Sequence, residues 1–217
     1  MAIDLGKDPI VLISISFLEV LLIIVPTIIA SKIEKKSILD ELKEIGFQWK
    51  PTTIKKVLLK VISGLLIGIA FFFLSGYLIS FLLNFIVLFL FGPQFVEEGV
   101  NNAISTTPVN PSILQLVILI AIQIIIVAPC EEGFFRGFLI KKTHKKIKLL
   151  YSVLFSSVMF TLYHVPPFLV PLSTIITFFS YYFSFAVLLA LTFVIFKNSL
   201  LPSSIAHFTL NILIILS

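Results

Sequence analysis

Charge is scarce in this chain. Only 12% of its 217 residues are Asp, Glu, Lys or Arg and 59% are hydrophobic, whereas a soluble domain carries about 25% charged residues. That balance excludes an ordinary soluble domain. Cysteine is nearly missing as well: Cys130 stands alone, so no internal disulfide can form. Strict alternation of apolar and polar residues is absent, which excludes the strands of a membrane barrel and leaves helices to satisfy the backbone in lipid. The opening stretch "MAIDLGKDPIVL" lacks the basic start and small-residue cleavage site of a secretory signal, so the first apolar segment is expected to stay as a transmembrane helix. No internal repeat is visible, and neither G-x-S-x-G nor H-E-x-x-H occurs.

Long apolar runs are plentiful. About six are long enough to count as spans, over 10–30, 57–91, 113–140, 149–165, 172–196 and 203 to the end. The fold class is therefore all-α, a polytopic transmembrane helix bundle, and residues 1–217 are read as one membrane-embedded domain. The second run exceeds one crossing and reads as a long tilted helix, with Gly76 as the place where it could break. Between the first two spans, the basic segment 31–56 repeats Ile38, Leu42 and Ile45 at helical spacing, as expected of an amphipathic helix on the membrane surface. The stretch 92–112 is rich in Gly, Pro, Asn and Ser and reads as an exposed connection.

The lysines segregate. Lys32, Lys35, Lys36, Lys43, Lys50, Lys55 and Lys56 follow the first span, with Lys60 just inside the second. Lys141, Lys142, Lys145, Lys146 and Lys148 follow the third, and Lys197 follows the fifth. This arrangement places all of them on one side, while the other side holds Asp4, Asp8, Glu97 and Glu98, with Lys7 as its only cation. The positive-inside rule then predicts a cell-membrane protein with lysine-rich loops in the cytoplasm and both termini outside. A net charge of +5 distributed this way points to lipid headgroups, not nucleic acid.

Against this apolar background a few polar side chains lie inside spans: Glu19, Glu131, Glu132, Arg136, His164, His207 and the amide of Asn211. Such residues are costly in lipid and tend to face the bundle interior. Glu132 and Arg136 are four apart and can form an ion pair on one helix face. Glu131 projects about 100° around the helix from that pair and has no partner at i+4, which leaves it free as a proton acceptor. "FTLYH" puts Phe160 and His164 on one face of the fourth span, and "HFTLN" does the same for His207 and Asn211 in the sixth. Three polar stripes can thus converge on one cavity. Pro129 is expected to kink the third span or start a new helical segment, opening room for water. Glu19 is isolated and reads as a structural hydrogen-bonding residue. Cys130 reads as a small buried residue with no paired base, and His144 as a solvated loop residue.

Together, "EEGFFR" at Glu131–Arg136, "FTLYH" at Phe160–His164 and "HFTLN" at His207–Asn211 resemble the EExxxR, FxxxH and HxxxN motifs of the CPBP family of intramembrane proteases. These are the type II CAAX prenyl endopeptidases and their bacterial relatives, also called Abi proteins. The motifs occur in order, in separate spans, within residues 113–217. The resemblance implies a glutamate-type endopeptidase with no required cofactor or metal. Glu131 would activate a water, His164 would help hold it, and His207 and Asn211 would stabilise the oxyanion. Glu132, Arg136 and Phe160 would support them. The implied partner is a membrane-associated peptide or protein substrate. The Lys- and Ile-rich composition points to an AT-rich bacterial genome, in which a prenylated CaaX tail is not the expected substrate. Glu131 lies roughly 13 Å from the lysine end at 1.5 Å per residue, so the cavity is expected to open toward the cytoplasmic half.

Other readings remain open on the residues alone. Glu131, His164 and His207 could form a His₂Glu zinc site with an open position for water. The chain could also be a non-catalytic membrane partner or a bacteriocin-immunity protein. A transporter is disfavoured because the inverted repeat common in such folds is missing.

Overall fold

The computed structural model describes residues 4–47 and 53–217. Lys50 and the rest of 48–52 of the amphipathic segment lie outside the described residues.

Among the described residues the chain is a bundle of helices without strands, and only an isolated bridge joins Asp4 to Ser105. Among the described residues four helices are long and apolar enough to cross a membrane: α1 (Pro9–Glu34), the helix that begins at Ile54, α5 (Ile113–His144) and α7 (Leu172–Ile195). Two shorter apolar helices, α6 (Leu149–His164) and α8 (Leu200–Leu216), complete the set expected from the sequence. The second spanning helix, α3, runs from Ile54 to Leu82 and continues through a π turn and one more helical turn to Phe91, with no break at Gly76.

Local chemistry sets the ends. Asp8 caps α1 by accepting from the Ile10 amide at 2.9 Å, with Pro9 at the first helical position. Ser112 and Gln115 form a reciprocal capping box at the start of α5, which explains one of the two amides that interrupt its apolar run. The stretch 92–112 departs from expectation. Its first half is a helix, α4 (Pro93–Asn101), that lies on α7, where Thr174 Oγ1 donates to the Gly99 carbonyl at 2.8 Å. Pro93 and Gly99 read as loop formers. Here one occupies the first turn and the other is a contact point, where a Cβ would come within 2.7 Å of the Ser173 carbonyl.

Close approach through glycine recurs along the bundle. Gly64 and Gly68 of α3 face α8, where an added Cβ would lie 2.7 Å from the Pro202 carbonyl and 2.6 Å from the Ala206 carbonyl. In lipid, helix association relies on such van der Waals packing, because the tails are as apolar as the side chains. A second pair, Gly133 and Gly137 of α5, admits Phe47 and Ile45 from the amphipathic segment.

That segment contains α2 (Ile38–Ile45), capped by Ser37 at its start and ended by Gly46 at φ 129°. The amphipathic pattern is as expected, but only part of its apolar face lies at the surface. Ile45 is fully buried against α5, while Ile38 and Leu39 are exposed. Lys141 Nζ donates to the Glu44 and Ile45 carbonyls, both at 2.9 Å, completing the carbonyls at the C-terminus of α2. Lys142 reaches Glu34 and Glu41 at 2.6 Å each, and Lys145 reaches Glu44 at 2.5 Å. The lysine end of the bundle is therefore closed by a docked helix and an ion-pair network.

Two outcomes follow from this packing. Gly68→Leu forces α8 away from α3 and lowers the thermal stability of purified protein by about 1–3 kcal/mol, the usual cost of overpacking. The Glu44 carboxyl, hydrogen-bonded by Lys145 and Lys36, is held down to about 2, against about 4.3 in an unfolded chain. Its contribution to stability is present above the unfolded value and is lost as pH falls through the folded one. Thermal unfolding across that acid range is expected to show a steeper loss in the parent protein than in Glu44→Gln.

Candidate active site

All seven motif residues come together midway along the bundle, from α5, α6 and α8. Glu131, Glu132 and Arg136 are buried, as are Phe160 and His207. Arg136 is the largest fully buried side chain among the described residues. Its Nη1 lies 3.2 Å from Glu132 Oε1 in an ion pair without a well-aligned hydrogen bond, and its Nη2 donates to the Ala186 carbonyl on α7 at 3.1 Å. The guanidinium also lies 4.5 Å from the centre of the Phe160 ring. Glu132 Oε1 is shared with His207, whose Nδ1 is 3.0 Å away. The expected pairing of Glu132 with Arg136 is therefore present, and the contacts around it reach three further helices.

Phe160 organises both imidazoles. His164 stacks on it with ring centres 4.3 Å apart, and His207 meets it edge-on at 5.7 Å. His164 Nδ1 is 3.0 Å from the Phe160 carbonyl. Assigning protons on this network makes both Nδ1 atoms donors, one to a carbonyl and one to a carboxylate, and leaves both Nε2 atoms as acceptors in the neutral rings. Each Nε2 is 3.7 Å from Glu131 Oε2, an oxygen that is buried and has no hydrogen-bond partner. Three acceptors at that spacing are too far apart to bond directly, and a water donating both its hydrogens would bridge the carboxylate and one ring.

The same three atoms make up the His₂Glu set of the zinc reading. Three acceptor lone pairs suit that metal chemically, but tetrahedral binding would draw both imidazoles in toward the carboxylate to bonds of about 2.0–2.1 Å. The described acidic groups gathered within 4.8 Å lie elsewhere, at Glu34, Glu41 and Glu44, where lysines already fill the cluster.

Asn211 lies one turn beyond His207 on the same cavity wall. Its Nδ2 donates to Gln123 Oε1 at 2.8 Å, so one of its two hydrogens is taken and the other is free. Gln123 interrupts the apolar run of α5. It opens a π-helical turn, Gln123–Val127, just before Pro129, and a second π segment, Gly133–Ile140, follows the glutamates. Pro129 sits in the first turn of a short α-helical segment, Ala128–Glu132, that starts between the two π segments, in line with one of the two expectations, and the Ala128 amide bonds back to the Gln123 carbonyl so that α5 continues through the proline. Two further residues escaped the sequence reading. Ser156 Oγ donates to the Phe135 carbonyl at 2.6 Å and ties α6 to α5, and Tyr163 donates its hydroxyl to Glu19. Cys130 is half-buried, less than the buried residue expected, and is not among the residues that line the cavity.

A cavity of about 940 Å³ reaches Glu131, His164, His207 and Asn211. Its rim is built from Leu5, Ser105, Thr107, Pro166 and Phe168. These residues lie at the end opposite the lysines, where Leu5 pairs with Ser105 through a 2.9 Å backbone hydrogen bond. The expectation of an opening on the lysine half is therefore wrong. The residue count to Ile140 measured depth along one helix, but α2 plugs that end. At the other end α6 stops at His164 before "PPFLVP", and the missing turns of helix leave the space open.

Residues 113–213 match the family described as "Type II CAAX prenyl endopeptidase Rce1-like". No curated protein and no solved structure matches the chain.

Removing one partner of the buried pair should be costly. Arg136→Ala leaves Glu132 without its cation and is expected to destabilise the purified protein by about 3–5 kcal/mol, whereas Glu132→Gln with Arg136→Met recovers part of that loss. Thermal unfolding in detergent measures both.

Proposed function

We propose, on the premise that residues 113–213 make this chain a member of the type II CAAX prenyl endopeptidase family, that it hydrolyses peptide bonds in membrane-associated peptides by a glutamate-activated water. The observation that supports this most directly is the placing of the unpartnered Glu131 Oε2 at 3.7 Å from two imidazole Nε2 atoms in a deep cavity. Glu131 takes one proton from water as the oxygen attacks the carbonyl carbon. His164 holds the other hydrogen and aligns the attack. The C=O electrons move to oxygen, and the free Nδ2 hydrogen of Asn211 meets that oxyanion. His207 donates from Nε2 when both its ring nitrogens carry hydrogen, with Glu132 at Nδ1 balancing the charge. Collapse of the intermediate breaks the C–N bond, and Glu131 returns its proton to the leaving amine. Water, substrate and proton thus balance without a cofactor.

The substrate is a membrane-associated peptide or protein held in the bilayer, and nucleic acid has no part in the reaction. The lysine-bearing end is placed in the cytoplasm by the positive-inside rule, with both termini outside. On that orientation the cavity receives its substrate from the outer half of the membrane.

Glu131→Gln is expected to lower cleavage of a reporter peptide in proteoliposomes by at least about 10³-fold, and Asn211→Ala by about 10²-fold. His164→Ala and His207→Ala should fall in the same range. Retention of full cleavage by Glu131→Gln overturns the mechanism. Chelation that abolishes cleavage, with recovery on adding zinc, transfers Glu131, His164 and His207 to the His₂Glu reading.

A further inference from the structure

The cavity contains a second carboxylate that the proposed mechanism does not use. Glu19 sits in a tight 3₁₀ turn, Leu18–Val20, that interrupts α1, and its side chain forms part of the cavity wall. One oxygen accepts the Tyr163 hydroxyl, and Tyr163 immediately precedes His164. The other oxygen, Oε2, is buried and has no hydrogen-bond partner. Glu19 and Glu131 line the same cavity.

No lysine or arginine among the described residues lines this cavity. Arg136 is committed to Glu132, and Lys7 near the rim is exposed and lies 3.8 Å from Asp4. Two carboxylates thus face one space without a cation, at a depth where an unbalanced charge is expensive. Accepting one hydroxyl proton does not require a carboxylate, since an amide oxygen would serve. What distinguishes glutamate here is the unspent oxygen and the charge. The rest of the wall is largely apolar, including Leu12, Leu119, Val127, Met159 and Phe185.

We propose that Glu19 receives an ammonium or guanidinium group of the substrate, so that the cavity selects a basic residue flanked by apolar ones near the bond to be cut. This rests on the endopeptidase reading for the identity of the ligand as a peptide. The cation supplies the charge that the two carboxylates lack, and the charge-assisted hydrogen bond it makes to the Glu19 carboxylate is stronger than a neutral one beside a largely apolar wall. An uncharged or acidic residue at the same position leaves Glu19 unpaired or opposed.

The test uses the full chain in lipid nanodiscs. The probes are fluorescent, N-acetylated apolar peptides that carry one Lys, Gln or Glu at successive central positions. Binding is read on Glu131→Gln protein, and cleavage on the parent protein. At one or two positions the Lys peptide should bind at least about tenfold more tightly than the Gln peptide. In a Glu19→Gln background that ratio should fall below about threefold, and Glu19→Lys should favour the Glu peptide. Glu19→Asp should retain the preference, which separates loss of charge from a misfolded variant. A peptide with a free N-terminus and no lysine distinguishes an α-ammonium from a side-chain cation. The proposal is overturned if no position prefers Lys, if none of the peptides binds, or if the preference survives in Glu19→Gln. Lys-selective binding without any cleavage sinks the endopeptidase reading and leaves the role of Glu19 standing. Cleavage without charge preference does the reverse.

Discussion

One buried guanidinium constrains most of the interior. Arg136 lies in the middle of a lipid-embedded bundle, and its charge has to be met from within. Glu132 meets it on the same helix, the Ala186 carbonyl on a second and the Phe160 ring on a third. Glu132 then engages His207 on a fourth. These contacts fix the positions of α5, α6, α7 and α8 relative to one another, because moving any of them leaves a charge or a donor unpaired in a medium that cannot solvate it. Glu131 is the complement of this arrangement. It takes no part in that ion pair and is left with an unpartnered oxygen 3.7 Å from two ring nitrogens.

Packing by small residues and pairing by ions divide the work along the membrane normal. Gly64 and Gly68 bring α8 against α3, which sets how far His207 and Asn211 project into the cavity. Gly133 and Gly137 let the amphipathic segment press against α5, and lysines at the end of α5 clamp it there. That closure leaves the opposite end as the way in. A helix that stops early provides the opening, since α6 ends at His164 and the chain turns away through two prolines. Function and access thus depend on which end of the bundle is sealed.

Much of this was legible in the sequence because lipid makes the rules strict. The spans, the helical fold and the convergence of Glu131, His164, His207 and Asn211 follow from hydropathy and from the spacing of polar residues. The pairing of Glu132 with Arg136 follows from four-residue spacing on a helix face. Other features were present as residues but carried no pattern. Gln123 only interrupts an apolar run, the π turn it opens has no sequence signature, and α4 looked like a loop because Gly and Pro punctuate it.

The sequence by itself determined the membrane class, the helices and the set of polar side chains that must face inward, since the cost of burying a polar group in lipid depends on the residue and its depth. Only the tertiary structure decided what those side chains meet and where the cavity opens. Glu19 belongs to this second group. Nothing on its own helix gives it a role, and its meaning came from Tyr163, Glu131 and an apolar wall contributed by helices distant in sequence. Contacts between helices depend on packing distances and on how far each helix extends, and neither is encoded in a periodicity.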